Sequence, residues 1–153
     1  MPSTLITLTA LLLAASVTVP NASIVPDSEL AIGHISLGDT ESTVVRRLGP
    51  PTSIAETGDF LSVQLNYTGL TIWLGEGRRV GEILSTSPEH CTTGGICPGM
   101  DVSEVLARLG PAVMADREHG RFHEYFPESD IPCWLQVAAS AGVVVSIRSE
   151  CQP

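Results

Sequence analysis

The chain has 153 residues, enough for one domain or two very small ones, and its 43% apolar and 16% charged composition is that of a globular protein rather than a disordered one. Seventeen acidic residues stand against eight basic ones, every one of them Arg, for a formal net charge of -9. That balance argues against nucleic acid, whose phosphates need a cationic face, and against anionic lipid headgroups, and it favours a basic protein partner.

The first charged side chain is Asp27, and the stretch before it, Leu5 to Val19, is apolar. It reads as the hydrophobic region of a secretory signal, being short of the roughly 20 apolar residues a bilayer span needs. Pro20 ends it, and Ala22 or Ser23 offers a small residue for cleavage. The expected organisation is a signal peptide over 1–22 and an N-terminal linker over 23–32, in a chain exported to the periplasm or secreted, with no membrane attachment after cleavage. No Cys lies near the cleavage region, so lipid modification there is not expected. Asn21-Ala22-Ser23 and Asn66-Tyr67-Thr68 match the glycosylation sequon, which has meaning only in a eukaryote.

Beyond the linker the sequence repeats. A fixed spacing of 61 residues carries Gly33, Ile35, Gly38, Ser42, Val44, Arg47, Leu48, Gly49 and Pro50 onto identical residues from Gly94 to Pro111, and later Trp73-Leu74 onto Trp134-Leu135. Repeat 1 is expected over 33–92 and repeat 2 over 93–153. In the first, Thr40 caps a short helix whose stripe is Val44, Val45 and Leu48, and Gly49-Pro50-Pro51 ends it. Strands follow over Phe60 to Tyr67, Leu70 to Leu74 and Val80 to Ser85. In the second, Asp101-Val102-Ser103-Glu104 reads as a capping box before the stripe Val105, Leu106 and Leu109. Its strands are Arg121 to Phe126, Cys133 to Ala138 and Val143 to Ser149, the last two joined by a turn at Ser140-Ala141-Gly142. The expected fold class is α+β: two tandem copies of a short helix packed on an antiparallel three- to four-stranded sheet.

Four Cys in an exported chain imply two disulfides. A hairpin centred near Gly142 sets Cys133 opposite Cys151 and Val137 opposite Ile147, which leaves Cys91 to pair with Cys97 across a short loop.

Strand alternation supplies the candidate site. Leu70, Ile72 and Leu74 share one face and belong beneath the helix, as do Ile131, Cys133, Leu135 and Val137. Trp73 with Thr71, and Trp134 with Gln136, point the other way. A helix covers one face of a sheet, so the tryptophans are expected on an open, partner-binding face; Trp73, Trp134, Thr71, Gln136 and Tyr67 are the residues assigned to it. The competing reading packs the two rings as core, against the N-terminal segment, a loop or each other. His119 and His123, with Glu118 and Glu124 beside them, have a spacing that presents two metal ligands on a helix, but Gly120 between them and a strand-like context favour an exposed hairpin. His90-Cys91 could suggest a nucleophile pair, which the expected disulfide removes. No catalytic residue, metal ligand or cofactor is assigned.

The run Ile35-Ser36-Leu37-Gly38, a short helix, then Leu48-Gly49-Pro50-Pro51 and several strands resembles a bacterial envelope unit. It is similar to the fold shared by the beta-lactamase inhibitor protein and the small outer-membrane-assembly lipoproteins of the SmpA/OmlA type. The resemblance to the inhibitor family implies two tandem copies in one exported chain with two disulfides. It also implies a concave, aromatic-rich sheet that clamps a target enzyme, with Trp73 and Trp134 on the corresponding surface. The expected function is therefore an exported, non-enzymatic, inhibitor-like protein-binding module whose aromatic sheet face spans both repeats. The partner expected is a protein, an envelope or secreted enzyme. The alternatives are a structural or assembly component of the cell envelope and a metal-dependent enzyme around His119 and His123. At the fixed spacing Cys97 meets Ser36, Cys133 meets Ile72 and Cys151 meets His90, an asymmetry that favours one composite surface over two identical sites.

Overall fold

The computed structural model describes residues 23–152, so the signal peptide expected over 1–22 lies outside the described residues. A two-residue strand, β1 (Ile24–Val25), and a 3-10 turn over Asp27–Leu30 come first. Helix α1 (Glu41–Leu48) precedes β2 (Ser53–Glu56), β3 (Val63–Tyr67), β4 (Leu70–Leu74) and β5 (Val80–Ser85). Helix α2 (Val102–Leu109) precedes β6 (Val113–Arg117), β7 (Gly120–Pro127), β8 (Cys133–Ser140) and β9 (Val143–Cys151).

The expected architecture, two small sheets of three to four strands under separate helices, does not hold: the chain is mostly strand, and all nine strands form one sheet in the order β1-β7-β8-β9-β5-β4-β3-β2, with β6 also on β7. The reason lies at the junction. A small sheet standing alone exposes a row of unpaired backbone groups at each edge. Here β5 and β9, the last strand of each half, pair antiparallel and remove two such edges at once. Ile83 lies opposite Ser149 and Ser85 opposite Ile147, and all four are fully buried. Two strands, β2 and β6, escape a reading by hydrophobic pattern: all four residues of β2 are exposed, and β6 has no apolar alternation. They are edge strands held by hairpin pairing to β3 and β7.

The helices are short and depend on the sheet. Thr40 caps α1 by accepting from the Thr43 N–H at 3.3 Å, and Val44 is fully buried. The capping box expected at α2 does not form. Asp101 makes no side-chain cap, and Glu104 accepts from Arg108 Nη2 at 2.6 Å instead of turning back. Asp101 is bridged to Val143 at the start of β9, so its backbone is set by the sheet.

Hydrogen bonds fix which residues of the two halves correspond. Gly38 N–H donates to Val80 O at 2.7 Å, and Gly99 N–H to Val144 O at 2.8 Å. Tyr67 Oη donates to Gly49 O and Tyr125 Oη to Gly110 O, each at 3.0 Å, closing the end of each helix onto the sheet. The strand pairing slips at Trp73/Leu74 and again at Ala138/Ala139. By this register Leu70 answers to Leu135, Ser85 to Ser149, and Trp73 to Ala138. The fixed spacing that superposes Trp73 on Trp134 therefore holds through the helices and fails in the sheet. The connections differ: residues 57–62 join β2 to β3 where only Glu118-His119 join β6 to β7, and Thr68-Gly69 join β3 to β4 where 128–132 join β7 to β8.

The core is one cluster shared by both halves, and Val25, Leu30 and Ile32 belong to it. The segment 23–32 is thus packed structure, not a free linker, and β1 pairs in parallel with the end of β7. Cys91 is bonded to Cys97, and Cys133 to Cys151 as cross-strand neighbours on β8 and β9.

Candidate functional site

The face away from the helices is organised by the β5–β9 junction. Trp134 on β8 lies opposite Glu150 on β9, Glu150 opposite Glu82 on β5, and Glu82 opposite Trp73 on β4. One cross-strand row thus carries a tryptophan at each end and two carboxylates between, spanning roughly 14 Å at the usual strand spacing. The neighbouring row is Gln136, Arg148, Leu84 and Thr71.

Two arginines tie these rows together. Arg148 donates to Glu82, and its guanidinium lies 5.6 Å from the Trp73 ring centroid. Burial pushes the Arg148 guanidinium below its ordinary value, partly opposed by Glu150. Arg117 on β6 makes a two-pronged bond to Glu124 at 2.9 and 2.8 Å and lies 5.2 Å from the Trp134 ring centroid. The hydrogen bond to Glu124 raises its basicity. Trp134 Nε1 donates to Glu150 Oε1 at 3.0 Å. Each ring therefore carries an arginine from its own protein and keeps part of its surface exposed.

The tips of the two β-hairpins overhang this face. The 57–62 loop brings Thr57, Asp59, Phe60 and Leu61 beside Trp73, Glu82 and Glu150 around a depression of about 400 Å³. Gly81 is the extra residue where β5 slips against β4, and a Cβ there would meet Leu61 Cδ2 at 2.5 Å, so its bareness lets the loop close down. On the other side Glu118 and His119 at the β6–β7 tip share a smaller depression, about 260 Å³, with Arg117, Phe122, Arg148 and Glu150. Glu150 borders both.

No protein-family model matches the chain, and no curated protein matches it. Solved structures do. One is an extracellular protein of Bacillus anthracis containing a SCP domain: TM-score 0.55, 11% identity, 92% of this chain and 50% of that one covered. The second is a DUF4309 family protein of Bacillus subtilis, with TM-score 0.51 and 12% identity over 74% of this chain and 79% of that one. The third is a cysteine-rich secretory protein of Staphylococcus aureus, with TM-score 0.50 and 10% identity over 76% of this chain and 44% of that one. This chain spans half the length of the first of them. At such identities the likeness is one of fold.

Of the residues assigned from the sequence, Trp73, Trp134 and Thr71 lie on this face and are partly exposed. Gln136 points the same way but is only 4% exposed, because its side-chain amide donates to the buried Glu124 carboxylate at 2.8 Å. Tyr67 is on the other face: it pairs with Leu70 and reaches the end of α1. Alternation from Val63 and Leu65 would have placed it there. Glu82 was not legible beside Arg148 and Glu150, since they meet only through the long-range pairing of β5 with β9, whereas Arg117 and Glu124 meet locally across the β6–β7 hairpin. His119 sits at a hairpin tip and His123 within β7, on a strand and not a helix. Among the described residues no three His, Cys, Asp or Glu side chains converge as metal ligands. Cys91, beside His90, is bonded to Cys97, and His90 Nε2 lies 3.1 Å from Thr68 O.

Proposed function

We propose that this protein is an exported, non-enzymatic binding module of the inhibitor type, which holds a protein partner on the tryptophan face spanning both halves. One observation carries this reading: Trp73 and Trp134 come from different halves yet end one cross-strand row on the face the helices leave open. Partly exposed aromatics flanked by arginine are the usual anchors of protein recognition. Two disulfides, and the likeness in fold to an extracellular and to a secretory protein, support export. The net charge of -9 supports a basic partner.

The alternative reading, a structural component of the cell envelope, draws on the arginines that already cover each ring, as in a self-contained face. The experiment that separates the two is affinity capture from an envelope or secreted extract with wild type and Trp73→Ala/Trp134→Ala, both shown folded. The binding reading expects a saturable partner that the double variant loses. Equal recovery of the same proteins by both would remove it.

A further inference from the structure

The larger depression differs in chemistry from the rest of the face. Its ionisable lining residues are Asp59, Glu82 and Glu150, all acidic, and none of its lining residues is Arg or His. Its apolar walls are Phe60, Leu61 and Trp73. Phe60 is 66% exposed at the rim of this depression. Glu150 commits one oxygen to Trp134 Nε1, and Asp59 stands exposed at the loop tip. The same sheet shows what such a setting accepts, since Arg148 satisfies Trp73 and Glu82 together by lying near the ring and donating to the carboxylate. Arg148 does not line this depression, so the surfaces of Trp73 and Phe60 that do are left for another cation.

We propose that this cavity is the partner's anchor pocket and takes an arginine side chain from a basic segment of the partner protein. The guanidinium would lie against the aromatic walls and donate to Glu150 and Asp59, while its methylenes pack on Leu61 and Phe60. Charge complementarity decides among occupants. Glu82 is already paired with Arg148, but a carboxylate would still face Asp59 and Glu150, and a wholly apolar side chain would leave Glu150 with the single donor Trp134 Nε1. The inference rests on the reading of this face as a partner site and adds the chemistry of the contact.

The test uses the full mature protein and short blocked peptides, Ac-Gly-Arg-Gly-NH2 and its neutral isostere with citrulline, followed by the two tryptophan indole N–H signals in nuclear magnetic resonance. The arginyl peptide is expected to bind weakly, to shift the Trp73 indole signal more than that of Trp134, and to weaken as salt is raised. Asp59→Asn and Phe60→Ala alter exposed loop residues and leave the core intact; each is expected to weaken binding about fivefold. Equal shifts from the citrulline peptide, or arginyl binding unchanged in both variants, would overturn the proposal. A captured partner that is lost with Trp73→Ala/Trp134→Ala but binds Asp59→Asn/Phe60→Ala as tightly as wild type would overturn the pocket assignment while leaving the binding face standing.

Discussion

Tyr125 and Tyr67 occupy the same place in the two halves and do the same work: each hydroxyl satisfies the carbonyl of the glycine that ends a helix. Tyr125 is fully buried, and burial raises its phenol from 10.0 to about 12. The folded state thus favours the neutral phenol, so its contribution is complete below pH about 10 and is lost as the pH rises to about 12. Tyr125→Phe should cost about 1 kcal/mol at neutral pH and flatten that alkaline loss, read as denaturant midpoints across the pH range. Tyr67→Phe, at a half-buried site, should cost less. The tryptophans were legible from strand alternation, which assigns a side chain to a face. It does not say what covers that face, and so Gln136, whose amide donates to Glu124 on the neighbouring strand, could not be recognised as buried.

The β8–β9 hairpin was readable from its turn. A hairpin centred near Gly142 places Cys133 opposite Cys151 and Val137 opposite Ile147, as found, but the slip at Ala138/Ala139, which sets Ser140 opposite Val143 next to the turn, was not readable. Ala141 and Gly142 both have positive φ, 50° and 79°, the backbone of a two-residue hairpin turn that favours Asn-Gly. Ala141→Asn should therefore stabilise the protein by about 0.5–1 kcal/mol, measured by thermal or chemical denaturation. Replacing both Cys133 and Cys151 by Ala should cost about 3 kcal/mol, and the Cys91/Cys97 pair less, because that bridge closes a shorter loop. The edge strands β2 and β6 were not readable, because neither has a buried face and so neither has a pattern. The α2 capping box fails on its Glu104 side because that carboxylate pairs with Arg108 one turn on, a competing i,i+4 partner, instead of reaching back to Asp101.

At the scale of the whole molecule, the repeat in the sequence was seen but its consequence was not. In the register of the sheet Leu84 and Arg148 are equivalent residues, and they lie opposite each other where β5 meets β9. The two halves therefore meet about a local two-fold at that pair, and a partner surface that is the same strand in each half closes the sheet. Ile83 and Ile147, buried beside it, belong to one core. Ile147→Ala should cost about 3 kcal/mol, and unfolding followed by far-ultraviolet dichroism and by tryptophan fluorescence should coincide, as for one cooperative unit. The same junction sets Trp73 and Trp134 in one row although they are not equivalent residues, making the face a property of the joined sheet. Hydroxyl-radical footprinting of the complex with the captured partner tests that face most directly. The account predicts that Trp73, Trp134 and Phe60 lose reactivity together while Val45 and Leu106 on the helices keep theirs; protection on the helices with both tryptophans unchanged would contradict it.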